Sequence, residues 1–253
     1  MRLNLITCFG TMMAHLGKGT LWKPAPTEKI ADNLYAINDK GDVNLFVYTD
    51  GDNTICIDAG YWSSRHLGEE FGKVGLNPSS VSHLFLTHAD MDHGGGIDCD
   101  SKTDWFKNSH VYISEIESNI VKGLIPRKKI AKIISVKSPV EITRPMNIVK
   151  DGDVIEVGNI KVEVIATPGH TPGQVSYLIN GEILCIGDTL NLENGKVKPF
   201  YKFWNMDHET DIQSVKKLAK LKNISVLCTA HTGWTKDWDN AIADWRWVKI
   251  SLP

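Results

Sequence analysis

Thr87-His88-Ala89-Asp90-Met91-Asp92-His93-Gly94-Gly95-Gly96 is the stretch on which the reading of this chain turns. It follows the apolar run Leu84-Phe85-Leu86, so the chemistry begins where a strand ends. Four side chains of metal-ligand type, His88, Asp90, Asp92 and His93, fall within six positions. Imidazoles and carboxylates this crowded are costly to desolvate unless a cation sits among them, and the glycines let the backbone turn tightly around it.

Six positions supply too few ligands for two ions, so further ligands must come from distant segments. Three candidates stand out. His170 lies in Thr167-Pro168-Gly169-His170-Thr171-Pro172-Gly173, a loop stiffened by its prolines. Asp188 follows the apolar run Ile183 to Ile186, and His231 follows Val226-Leu227-Cys228-Thr229-Ala230.

Working outward, two hairpins are legible. Val43 to Tyr48 leads through Thr49 to Asn53 into Thr54 to Asp58, and Val175 to Ile179 turns at Asn180-Gly181 into Glu182 to Ile186. Asn-Gly between two apolar runs is a strong hairpin signal. Each hairpin ends in an acid beside glycine, Asp58-Ala59-Gly60 and Gly187-Asp188, and in each half a later strand runs into a histidine, His88 or His231. The halves read as a repeat, two sheets whose strand ends meet at one site. Helical spacing predicts helices over 114–123, 210–222 and 238–248, with Trp238, Ile242 and Trp245 packing into the core.

The spacing of these groups resembles the metallo-β-lactamase superfamily, whose signature is H-x-H-x-D-H followed by a separate His, an Asp and a last His. His88, Asp92, His93, His170, Asp188 and His231 match it in order, over roughly residues 33–234. The resemblance implies an α+β fold, a four-layer αβ/βα sandwich with the site at one edge. It implies two divalent metal ions, zinc foremost and iron or manganese as alternatives. One ion would take His88, Asp90 and His170, the other Asp92, His93 and His231, with Asp188 bridging and a hydroxide between them as nucleophile. Asp92 and Asp188 then belong to the catalytic set, and Asp58 orients ligands from behind.

The chain departs from the signature at Asp90, where the family usually has its second histidine. A third carboxylate lowers the site's net positive charge, weakens its Lewis acidity and favours harder metals. The resemblance implies a hydrolase opening an ester, lactone, thioester or amide of a small molecule. An iron-dependent redox enzyme is the alternative reading, because flavodiiron proteins of this fold also carry a carboxylate there, and a phosphodiesterase or nuclease is a third. Glyoxalase II-like thioesterases add a helical domain after the last histidine, whereas only a short tail follows His231. Acyl-homoserine-lactone lactonases resemble this chain in length and ligand order, but they carry a tyrosine where this chain has Asn191.

Two basic segments flank these motifs. Lys196 to Trp204 is aromatic as well as basic, and it either walls the pocket, with Tyr201 donating to a developing oxyanion, or only covers the core. Lys122, Arg127, Lys128, Lys129 and Lys132 read as a solvated helix face, with contact to an acidic substrate as the alternative.

Composition bounds the rest. The chain has 253 residues, 28 Lys and Arg against 30 Asp and Glu, and 42% hydrophobic residues. A net charge of -2 predicts neither a nucleic-acid nor a membrane partner. With no linker visible, 1–253 is read as a single domain, residues 1–32 forming an N-terminal extension packed on it. Oligomeric state is open between monomer and homodimer. Five cysteines without a Cys-x-x-Cys pair point to a reducing compartment, and cytoplasm is expected. The apolar stretch Leu3 to Leu16 is broken by Asn4, Thr7 and His15, and too few residues precede Cys8 for an export signal.

Overall fold

The computed structural model describes residues 19, 21–62, 64–98, 101, 103–130 and 134–246. The stretch Leu3 to Leu16, with Cys8, lies outside the described residues, as do Cys99, Lys132 and positions 247–248 of the last expected helix.

One sheet contains Glu28–Ala31 (β1), Leu34–Asp39 (β2), Val43–Thr49 (β3), Thr54–Ile57 (β4), His83–Phe85 (β5), His110–Ser114 (β6) and Met146–Val149 (β9), hydrogen-bonded in that order. Lys128–Ile130 (β7) and Ile134–Val136 (β8) form a separate two-stranded ribbon. The second sheet contains Val154–Val157 (β10), Ile160–Ala166 (β11), Val175–Ile179 (β12), Ile183–Cys185 (β13), Val226–Thr229 (β16) and Gly233–Thr235 (β17). Leu190–Glu193 (β14) and Lys196–Pro199 (β15) pair with each other. The helices are Leu67–Lys73 (α1), Glu115–Val121 (α2), His208–Leu218 (α3) and Trp238–Ile242 (α4).

Strand alternation builds four layers. Phe46, Ile55, Ile57 and Phe85 from the first sheet meet Val162, Val164, Tyr177, Cys185 and Cys228 from the second in one core between the sheets. The intervening residues Leu45, Val47, Cys56 and Leu84 face outward onto Leu67 and Phe71 of α1. Leu178, Leu184 and Leu227 likewise face Val215 and Leu218 of α3 and Trp238 and Ile242 of α4. β3, β4, β12, β13 and β16 carry near-continuous apolar runs because both faces are buried, whereas β11 alternates, with Lys161 and Glu163 exposed. Each fully buried Leu, Ile or Phe side chain stabilises the fold by about 1.5–3 kcal/mol. Cys56, Cys185 and Cys228 are buried free thiols within these layers.

The repeat read from the sequence is visible in the pairing. In the first sheet β3 pairs β4 antiparallel and β4 pairs β5 parallel, while in the second β12 pairs β13 antiparallel and β13 pairs β16 parallel. The chain therefore leaves β4, β5, β13 and β16 at corresponding ends, followed by Asp58, His88, Asp188 and His231. The two sheets are tied at this rim by the Val175 N–H, which donates to the Thr87 carbonyl at 2.9 Å.

Three expected boundaries shift. Residues 28–31 are the edge strand β1 rather than part of an appended extension. The helix expected from Thr210 begins at His208, because the Asp207 carboxylate accepts the Thr210 N–H at 3.0 Å and caps it, and it ends at Leu218. The last helix is α4 followed by a single 3-10 turn over Ala243–Trp245, with Trp238 buried and the Trp245 indole N–H donating to the Val197 carbonyl at 3.0 Å.

Gly96 shows what the glycine run after the motif is for. A Cβ there would lie 2.1 Å from the Ala59 carbonyl oxygen, so only glycine lets this turn pack against the loop that carries Asp58. Gly96→Ala is expected to cost about 1–3 kcal/mol or more in urea denaturation. Gly72→Ala in α1, where a Cβ meets nothing within 4 Å, is expected to be neutral or stabilising by up to about 1 kcal/mol.

Candidate metal centre

The four strand ends and the His170 loop bring seven side chains together. His88, His93, His170, Asp188 and His231 are buried, and Asp90 and Asp92 are partly exposed at 22% and 17% of their side chains. Asp188 divides the cluster in two. Its Oδ2 lies 3.9 Å from His88 Nε2 and 3.5 Å from His170 Nε2, and Asp90 Oδ2 lies 3.8 and 3.2 Å from the same two nitrogens. Its Oδ1 lies 3.4 Å from His93 Nε2 and 3.3 Å from His231 Nε2, and Asp92 Oδ2 lies 3.7 and 3.4 Å from those.

These edges test whether cations fit. Ligand bonds of about 2.1 Å in a tetrahedron put neighbouring ligand atoms about 3.4 Å apart, and both groups of four atoms bracket that spacing. His88 Nε2, His93 Nε2 and Asp188 Oδ1 are buried and have no hydrogen-bond partner among the described residues. Buried polar atoms that are orphaned yet convergent match a donor set for metal ions.

The rings are held so that Nε2 faces inward. His93 Nδ1 is 2.8 Å from Asp58 Oδ2, and His88 Nδ1 is 3.1 Å from the Thr87 hydroxyl, which itself donates to Asp58. His231 Nδ1 donates to the Asp42 carbonyl. An N–H on Nδ1 leaves the Nε2 lone pair for the site. Asp58, in a left-handed conformation with φ 64°, reaches His93 directly and His88 through Thr87. Gly187 makes room beside it, since a Cβ there would meet the Thr87 hydroxyl oxygen at 2.5 Å.

The electrostatics of the bare cluster are those of a site that wants positive charge. Burial alone would raise the Asp188 carboxyl, yet His231 and His93 hold it well below the usual carboxylate range. Burial would lower the His231 imidazole, and Asp188 and Asp92 instead push it up to about 10. His88 goes the other way, lowered by burial and by the neighbouring His93. Asp90 is held low against the effect of burial by the guanidinium of Arg127.

Several residues here were not singled out in the sequence, or were read differently. Arg127 belongs to no solvated helix face: it precedes β7 and its guanidinium grips Asp90, with Nε to Oδ1 and Nη2 to Oδ2 both at 2.6 Å. Lys122, from the same basic stretch, is the exposed C-cap of α2. Glu117 in α2 is fully buried, and its carboxylate accepts the Ala89 and Gly173 N–H groups, each at 3.1 Å, tying the motif turn to the His170 loop. Trp22 packs on His231 with ring centroids 4.4 Å apart, and Phe200 packs on His170 at 4.9 Å. The Lys196 to Trp204 segment thus reaches the site through Phe200. Tyr201 does not put its hydroxyl into the cluster as the oxyanion reading required, because the ring packs on Trp22 and the hydroxyl donates to the Leu21 carbonyl at 3.3 Å. Asn191 is fully buried with neither amide atom hydrogen-bonded among the described residues.

Residues 38–231 match the family model of the metallo-β-lactamase superfamily. Among curated proteins, an uncharacterised Bacillus subtilis protein, YobT, is 33% identical over 164 residues, 60% of this chain and 67% of that protein. A hydroxyacylglutathione hydrolase of Buchnera aphidicola is 40% identical over 151 residues, 58% of this chain, but the match spans only 47% of that protein. Among solved structures, a Thermus thermophilus metallo-β-lactamase family protein superposes with TM-score 0.61 at 19% identity, covering 86% of this chain and 79% of the other. A B3 metallo-β-lactamase with an active-site glutamic acid gives 0.63 at 19%, covering 89% and 88%. At such identities the likeness is one of fold.

Two substitutions test the supports of this centre. Asp58→Asn, which keeps the size but not the charge that holds the His93 tautomer, is expected to weaken metal binding about 10–100-fold in chelator competition. Glu117→Ala strands two buried N–H donors and is expected to cost about 2 kcal/mol or more in urea denaturation, with Glu117→Gln, which retains an acceptor oxygen, costing less.

Proposed function

Because the chain belongs to the metallo-β-lactamase superfamily, we propose that it is a hydrolase that uses two divalent metal ions to open an ester, lactone, thioester or amide bond of a small molecule. The observation that carries this reading is the pair of four-atom groups sharing Asp188, with edges of 3.2 to 3.9 Å and with the buried Nε2 atoms of His88 and His93 left without a hydrogen-bond partner among the described residues. Zinc suits the imidazole-rich donor set best, with iron or manganese admitted by the three carboxylates. Bound there, the ions would supply a hydroxide nucleophile near neutral pH and polarise the substrate's carbonyl oxygen.

The chain's own residues do the rest. Asp188 fixes the relation between the two positions, one oxygen to each. His88 and His170 would hold one ion together with Asp90, and His93 and His231 the other together with Asp92. Asp58 and Thr87 keep the motif imidazoles in the tautomer that leaves Nε2 unprotonated. Asp92, partly exposed while His93 is shut away, would take the proton given up when water becomes the hydroxide nucleophile and return it to the leaving group as the acyl bond breaks. Trp22 and Phe200, themselves buried, cover the outer sides of His231 and His170 and exclude water there.

The relationship to a hydroxyacylglutathione hydrolase supports including thioesters, although that match spans under half of the relative. The buried thiols Cys56, Cys185 and Cys228 agree with a reducing, cytoplasmic setting. No helix among the described residues is long and apolar enough to cross a membrane.

The test is elemental analysis of untagged protein followed by a panel of lactone, thioester, β-lactam and phosphodiester substrates. Two equivalents of zinc and chelator-sensitive hydrolysis of a carboxylic ester, lactone or thioester are expected. His170→Ala and Asp188→Ala should each lose metal and at least about a hundredfold in rate. Hydrolysis untouched by complete metal removal, or iron-dependent oxygen consumption with no hydrolysis, would overturn the reading.

A further inference from the structure

Asp90 is the residue at which the motif departs from a histidine, and Arg127 is the residue that meets it. The guanidinium engages both carboxylate oxygens at 2.6 Å, the parallel fork that makes such pairs strong and directional. Only 12% of the Arg127 side chain and 22% of that of Asp90 are exposed, so solvent screens the pair little. The same Asp90 Oδ2 that accepts from Arg127 lies 3.2 Å from His170 Nε2 and 3.8 Å from His88 Nε2. A carboxylate oxygen has lone pairs for both duties, one toward the guanidinium and one into the site.

We infer that Asp90 and Arg127 together form one electrically neutral ligand, the guanidinium cancelling the carboxylate so that the site keeps the charge a neutral ligand at position 90 would leave it. Two dications facing Asp90, Asp92 and Asp188 retain one net positive charge, and Arg127 brings it to two. Two dications facing two carboxylates and an uncharged fifth nitrogen ligand also retain two. Arg127 thus offsets the loss of Lewis acidity that a third carboxylate brings. The inference rests on the two-ion reading above and adds to it a residue outside the histidine and aspartate set.

Its consequence is that either partner is a fault without the other. A neutral ligand at position 90 with Arg127 retained leaves an unpaired guanidinium beside a dication, in a site where charge is poorly screened. The same change with Arg127 neutralised does not. Contact pairs of this kind couple by factors of about two to more than a hundred.

The experiment is a double-mutant cycle on the full chain, stripped of metal and titrated with cobalt(II) against a chromophoric chelator, with thermal unfolding to verify folding. Wild type is expected to bind two equivalents. Asp90→His should weaken the second equivalent about tenfold or more, and Asp90→His with Arg127→Met should recover most of that loss. Asp90→His with Arg127→Lys, which keeps the charge but not the fork, should stay weak, and Asp90→His with Arg127→Gln, a second uncharged replacement, should recover as the methionine variant does, so the cycle can be read even if the methionine variant folds poorly. Equal weakening by Asp90→His in the arginine, lysine and methionine backgrounds would overturn the role of Arg127 while leaving two ions in place. A single equivalent in wild type and in Arg127→Met alike would overturn the two-ion reading itself, and the inference with it.

Discussion

Asp188 turns one carboxylate oxygen toward His88 and His170 and the other toward His93 and His231, all of them buried. Burial opposes its ionisation and the imidazoles around it override that opposition. An arrangement of this kind is costly in a folded core unless compensating charge is supplied, because donors and acceptors stripped of water and left unpaired weigh against the folded state. Much of the surrounding architecture serves to hold these groups in place. Thr87 and Asp58 brace two rings from behind, the Asp42 carbonyl braces a third, and Glu117 clamps the turns on which His88 and His170 ride.

The sandwich explains how so many polar groups reach one place without opening the core. Parallel pairing of β4 with β5 and of β13 with β16 makes four strands end on the same rim. Helices and aromatic side chains cover the outer faces of both sheets, so the apolar layers stay closed beneath the rim. The loops that follow the strands, rather than the strands themselves, carry the donors, which leaves sheet hydrogen bonding undisturbed.

The motif, the two hairpins and the strand-to-acid and strand-to-histidine repeats were legible because each is local, a pattern of residue types within a few positions. Asp58 was legible through the family it resembles, and its contact with His93 gives that position a physical role. Arg127, Glu117 and Trp22 were not. Arg127 sits in a run of lysines that has the composition of a solvated surface, and nothing within its neighbourhood marks it as the partner of a residue 37 positions earlier. Glu117 looks like an ordinary acid in the first turn of a helix, where the helix dipole favours one. Tyr201 shows the converse, a residue with suitable chemistry whose hydroxyl is turned to the Leu21 carbonyl.

By itself the sequence determined the alternation of buried strands, the ligand-rich turn after β5, and the identity of the groups able to meet a cation, since periodicity and residue chemistry are properties of short segments. Only the tertiary structure decided which of those groups share a site, which oxygen of Asp188 faces which histidine, and that the unusual carboxylate at position 90 is met by a guanidinium. The physical reason is that charge compensation and ring orientation act through space over a few ångströms. The chain brings such neighbours together from positions whose separation along it carries no trace of the contact.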